Sequence, residues 1–255
     1  MGLVFIIFYG GFGTKWSEAK KVAGKSLILA SAGVLLTAFA TGAFCKFVLG
    51  FEWLESLLIG AVISSTDAAS VFSVLRSKKL NLRYGTASIL ELESGSNDPW
   101  AYMLTVIILS VMKGGATAGG FVVSLLAQVF FGVGFGALIS LGAVYLIKRV
   151  RFDAAGFDAI FVTAIAILSY ALPSAVGGNG YLSCYIVGIV LGNTKISGKT
   201  ALVHFFDGIT GFTQILLFFL LGLLAFPSQM PSIILPAAAI ALFLTFVARP
   251  AAVTV

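Results

Sequence analysis

Most of this sequence consists of apolar runs of roughly 18 to 27 residues between short charged loops, long enough for an α-helix to cross the ~30 Å hydrocarbon core of a bilayer. The runs lack the alternating ~10-residue pattern of outer-membrane barrels. Composition points the same way. Of the 255 residues, 59% are hydrophobic and 10% are charged, with a mean hydropathy of +1.07, whereas an average soluble domain is about 25% charged. The expected fold class is an all-α membrane protein, a polytopic helical bundle forming one transmembrane domain over residues 1–255. Marking apolar runs between charged or Gly/Pro-rich breaks gives a partial segment at 1–12. Full spans follow near 26–50, 54–75, 86–112, 121–147, 157–176, 179–194, 203–226 and 232–255, about eight plus the partial one. GLVFIIFYGGFG has no charged n-region and leads into further spans, so it reads as the end of a helix and not as a signal peptide. Both ends stop inside apolar sequence, and the chain is expected to be truncated at each.

The net charge of +6 is a matter of topology. The loops and adjoining termini at 13–25, 76–85, 148–156 and 195–202 hold thirteen of the sixteen Lys and Arg, and the intervening loops hold only Lys46 and Lys113. Rich and poor loops alternate without exception, so the rich ones are expected to be cytoplasmic in a multi-pass protein of the inner (plasma) membrane. A nucleic-acid partner would need a basic patch with interleaved aromatics on a soluble surface, and none is expected. Cys45 and Cys184 lie in or near apolar segments without partner spacing and read as small buried hydrophobes. His204 reads as interfacial. No cofactor is expected.

The informative residues are the ionisable ones inside the spans. Each costs roughly 2.5–3.5 kcal/mol near mid-membrane on insertion scales, and such residues usually face a cavity on an ion or proton path. Asp67, in GAVISSTDAAS, and Asp98, in LELESGSNDPW, both fall close to mid-span on consecutive helices. The hydroxyls of Ser64, Ser65 and Thr66 and the small residues after Asp67 permit local unwinding, which membrane proteins tolerate only beside a cavity. In the next helix Ser94 and Asp98 share a face by their spacing of four, and Glu93 and Asn97 share a neighbouring one. Pro99 frees the Gly95 carbonyl and weakens the helix beside the acids. Withdrawal from water and a neighbouring carboxylate both favour the protonated form of an acid. A proton and a metal cation are therefore expected to compete for Asp67 and Asp98. Four acids face one buried base, Arg249, and Glu93 is its expected ion-pair partner.

At these residues a family resemblance becomes specific. SSTDAASVFSVL, ELESGSNDP about 25 residues later, FFDGITGFTQILLFFLLGLL and the terminal FVARP, taken together over essentially the whole chain, resemble the monovalent cation:proton antiporters. This family comprises the bacterial sodium/proton and potassium/proton exchangers, and the likeness is to its cell-volume-regulation, potassium/proton branch in particular. The resemblance implies an inverted-repeat antiporter fold with core and dimerisation domains, a homodimer and alternating access. It implies Thr66 and Asp67 at the unwound crossing of a broken helix, and Ser94 and Asp98 as cation and proton ligands with Asn97 beside them. It also implies a Glu93–Arg249 pair bracing the core, and the asparagine resembles that of the electroneutral exchangers. Tyr9 stands where some members carry an acid. The family has further spans and a second broken helix beyond the Arg-Pro segment, so residues 1–255 alone are not expected to transport.

Exchange of K+ or Na+ for H+ is therefore the leading reading, with membrane lipid as surroundings and no enzyme activity. Two alternatives stay open. A cation channel would usually show a filter of carbonyl or acid rings, and no re-entrant loop stands out. An intramembrane aspartyl protease also needs two aspartates sharing a proton, but GSND stands where a glycine-x-glycine-aspartate signature is expected.

Overall fold

In lipid every backbone N–H and C=O must be satisfied within the protein, which leaves helices as the solution for apolar runs of this length. A computed structural model describes residues 2–67, 82, 86–114, 118–149, 156–196 and 198–254. Among them the chain is helical with no strand. The helices are α1 (Gly2–Gly13), α2 (Ala23–Phe47), α3 (Trp53–Val62), α4 (Thr86–Met112), α5 (Ala118–Arg149), α6 (Phe157–Ala175), α7 (Gly180–Gly192), α8 (Lys199–Leu224) and α9 (Pro227–Thr254). Five of these, α2, α5, α6, α8 and α9, are long and apolar enough to cross a membrane. Helix α4 matches them in length but carries Glu91, Glu93 and Asp98.

One local reading of the sequence needs correction. The run at 54–75 does not continue as one helix. Helix α3 ends at Val62, Ile63 to Ser65 turn, and Thr66 and Asp67 have no helical structure; residues 68–75 lie outside the described residues. The cause is local, because the Ser64 hydroxyl donates to the Ala61 carbonyl at 2.7 Å and competes with the helical ladder. At ten residues α3 is about 15 Å long, half a membrane crossing. Helix α4, by contrast, runs through Pro99 without interruption. The second helix end beside α4 is that of α7, where the Asn179 amide donates to the Pro99 carbonyl at 2.9 Å and its Oδ1 caps Leu182 N–H.

The buried apolar residues form two clusters. One joins α1, α5, α6, α7 and α8 around Phe8, Phe12, Ala143, Ala166, Cys184, Val187, Leu191 and Phe206. The other joins α2, α3 and α4 through Val34, Ala38, Ala61, Ala101, Leu104 and Ile108. Helix α4 belongs to both, since its Leu92 lies in the first cluster. Outside the clusters, Phe212, Ile215, Phe218, Leu221 and Leu224 of α8 and Ile234, Leu235 and Phe246 of α9 are exposed, the composition of helix faces solvated by lipid tails. Helix α9 approaches α2 through a stacked Phe44–Phe243 pair with ring centroids 4.2 Å apart.

Candidate functional site

The break after α3 leaves backbone carbonyls without helical partners, as every helix terminus does. One of them, the Ser64 carbonyl, accepts from Arg249 Nη2 at 2.7 Å. A π-helical turn at Leu244–Ala248 immediately precedes Arg249. Such a turn carries one extra residue and re-aims the side chains that follow. Arg249 Nη1 also lies 3.5 Å from Glu93 Oε1 on α4. The guanidinium thus joins α9, the frayed end of α3 and α4, with its positive charge at the negative end of the α3 dipole.

Around Glu93 the polar side chains form an ordered network. The Asn97 amide donates to Glu93 Oε1 at 3.0 Å and to Thr66 Oγ1 at 2.6 Å, which uses both of its N–H groups. Thr66 Oγ1, having accepted from Asn97, has its own proton for Ser94 Oγ at 3.0 Å, and Ser94 in turn reaches Glu93 Oε2 at 3.5 Å. Glu93, Ser94 and Asn97 are buried. The Asn97 carbonyl oxygen is buried too and has no partner among the described residues.

Asp98 projects from the next position of α4. Its carboxylate lies beside the Ser65 hydroxyl and feels the charges of Asp67 and Glu93. Asp98 is half-buried and Asp67 is exposed. The structure therefore brings Thr66, Asp67, Glu93, Ser94, Asn97, Asp98 and Arg249 to one place where α3, α4 and α9 meet. The oxygens gathered there are the carboxylates of Asp67, Glu93 and Asp98, the hydroxyls of Ser65, Thr66 and Ser94, and the amide carbonyl of Asn97. Hard oxygen ligands of this kind replace the hydration shell of a small cation. Among the described residues no cluster of three or more His, Cys, Asp or Glu could hold a metal ion.

Other candidates lie elsewhere. Asp207 and His204 on α8 are exposed, and Asp207 accepts from the Tyr9 hydroxyl of α1 at 3.2 Å. Cys45 and Cys184 are buried and free. Sequence reasoning missed two residues that face α4 from α7, Asn179 and Tyr185. Asn179 carried a usable signal, an N-cap residue before an apolar run; its bond to Pro99 carried none.

The family model described as sodium/hydrogen exchanger, transmembrane, matches residues 1–255. A K+/H+ antiporter of Alkalimonas amylolytica is 38% identical, over 99% of this chain and 44% of its own length. One from Shewanella oneidensis is also 38% identical, over 98% and 44%. A Na+/H+ antiporter of Synechocystis is 28% identical, over 94% and 45%. The chain thus spans a little under half the length of the curated relatives it matches. Among solved structures, the sodium proton antiporter of Methanocaldococcus jannaschii superposes with a TM-score of 0.85 at 25% identity, covering 98% of this chain and 62% of that one.

Proposed function

This chain belongs to the sodium/hydrogen exchanger family, and from that premise we propose that the protein is a secondary antiporter exchanging a monovalent cation for H+. Transport, and not bond chemistry, is the activity of the family. The observation that carries the reading is Asp98 on α4, set among Asp67, Thr66, Ser65, Ser94 and Asn97 beside an unpartnered amide carbonyl. Asp98 and Asp67 bind the proton or the cation in turn, and Ser94, Thr66 and the Asn97 carbonyl complete the cation's shell. Glu93 and Arg249 are not ligands: they fix α4 to α3 and α9. The half-helix end at Val62 supplies the irregular backbone that such sites require beside a cavity. Residues 1–255 belong to one exchanger transmembrane domain, part of a homodimer in the inner membrane, and a mass of two chains in detergent checks the dimer.

K+ is the preferred cation and Na+ the second. That order is supported by the two relatives at 38% identity, both named K+/H+ antiporters, while those named for sodium stand at 28% and 25%.

The test reconstitutes the full-length protein in vesicles carrying a pH-sensitive dye, with K+, Na+ and Li+ added separately. Wild type is expected to release the imposed proton gradient on adding K+, with a rate that saturates. Asp98→Asn is expected to release none. Equal rates in the two proteins would remove Asp98 from the mechanism, and a flux that neither saturates nor follows the pH gradient would favour a channel.

A further inference from the structure

Tyr185 is 3% exposed, projects from α7, and has no part in the network described above. Its ring lies against α4 at Gly95. A Cβ there would stand 2.6 Å from the ring's Cε2 and 2.7 Å from the phenol oxygen, so glycine is what lets the two helices meet. The phenol oxygen is thereby held against α4 at Gly95. Although buried, this hydroxyl meets no partner in full hydrogen-bonding geometry among the described residues. The carboxylates of Glu91 and Asp98 on α4 act on it, and the Thr14 hydroxyl, at the end of α1, is close enough to act on it as a hydrogen-bonding neighbour. Thr14 is itself buried and gives its own proton to the Gly10 carbonyl at 3.0 Å, which leaves its oxygen as an acceptor only.

A buried O–H without a partner costs roughly 1–3 kcal/mol, and phenylalanine would fill the same volume without that cost. Packing alone therefore does not account for a tyrosine here. Unpartnered polar atoms in protein interiors usually mark an ordered water or a functional role. The location supports the second. Helix α7 meets α4 first where Asn179 reaches Pro99 and then where Tyr185 reaches Gly95. Continuing in that direction leads to Glu91, to Thr14 and to the lysine-rich segment at 13–25. Ser65 and Thr66 approach the site from α3, whereas Tyr185 approaches it from α7.

We propose that the Tyr185 phenol is a proton-relay group on the α7 side of the exchange site, joining the Thr14 end of α1 to the Asp98 carboxylate through bound water. This rests on the antiport reading above and names the route its protons take. The relay conserves charge: the phenol oxygen accepts a proton from water on the Thr14 side as its own proton leaves toward Asp98. One O–H bond forms as another breaks, and rotation of the hydroxyl resets it. Gly95 keeps the passage open.

The test compares wild type with Tyr185→Phe in the full-length protein in vesicles, measuring K+/H+ exchange in light and heavy water. The ring is kept, so folding is expected to survive, and thermal unfolding should be unchanged or slightly improved because no bonded hydroxyl is lost. Turnover is expected to fall by roughly ten- to a hundredfold, at or below the low end of what positioned proton-transfer groups contribute. The KM for K+ should stay the same, the pattern of a lost kinetic step and not of a lost ligand, and the solvent deuterium effect on turnover should rise. Wild-type turnover with a wild-type isotope effect would overturn the relay while leaving antiport intact. So would a loss shared between turnover and stability with no change in isotope effect, which is the mark of packing. A wild-type protein that exchanges nothing would overturn both readings together.

Discussion

Arg249 is the residue on which the site's rigidity depends, because its two nitrogens answer two different demands. Nη1 faces Glu93 and Nη2 binds the Ser64 carbonyl. Removing one partner of a buried pair costs up to roughly 3–5 kcal/mol because the other charge is stranded; here the figure is reduced, since 24% of the Arg249 side chain is exposed. Arg249→Ala should therefore lower the Tm of the full-length protein by roughly 2 to 4 °C. Adding Glu93→Gln to that variant should recover part of the loss, since the stranded charge is gone. Differential scanning fluorimetry of the two singles and the double checks this, and strictly additive losses would mean that the side chains do not interact. The spacing of four along α4 did make one part of this legible in advance, since Glu93 and Asn97 share a face and are 3.0 Å apart. The partner of the Asn97 amide on α3, Thr66, was legible only as a nearby hydroxyl.

At the scale of elements, the contact between α1 and α7 is set by glycine. A methyl at Gly188 would overlap the Phe8 carbonyl, and one at Gly192 would overlap the Phe12 carbonyl. Backbones approach this closely in membranes because van der Waals packing, with no hydrophobic drive between helices, is what joins them. Gly134 on α5 has open space around it. Gly188→Ala is accordingly expected to push α1 off α7 and destabilise the fold by several kcal/mol, beyond the 1–3 kcal/mol usual for overpacking because the obstacle is backbone. Gly134→Ala should be neutral or better by up to about 1 kcal/mol through helix propensity. Thermal unfolding of both variants decides it, and equal stability would mean that the α1–α7 contact is not glycine-limited. Glycine-rich segments were legible as packing surfaces, but which helix each one faces was not.

For the whole molecule, the alternation of basic and neutral loops predicts an orientation that chemistry can read. Lys20 and Lys113 are both exposed and stand in a lysine-rich and a lysine-poor loop. The native thiols, Cys45 and Cys184, are buried and should stay silent to a membrane-impermeant maleimide. Lys113→Cys is expected to label from outside intact cells, and Lys20→Cys only in inverted vesicles. Labelling of both from one side would break the positive-inside topology. The same topology orients the site: α4 enters from the end that carries Glu91, and Thr14 and Tyr185 lie on that side of Asp98.

Membrane class, the approximate positions of most helices and the run of acids and hydroxyls along α4 were determined by the sequence alone. Hydropathy and the helical period are local properties that fix themselves within each segment. Where the helices meet was decided by tertiary structure. Arg249 reaches the Ser64 carbonyl across 185 positions, Asn179 reaches Pro99 across 80, and Tyr185 lies over Gly95. The physical reason is that lipid is as apolar as the helices it surrounds. Pairing among helices therefore leaves no alternation in the sequence and depends on shape and single polar bonds. The end of α3 at Val62 shows both sides at once: the serines that permit a break are visible in the chain, while the guanidinium that satisfies the freed carbonyl arrives from a helix far away in sequence.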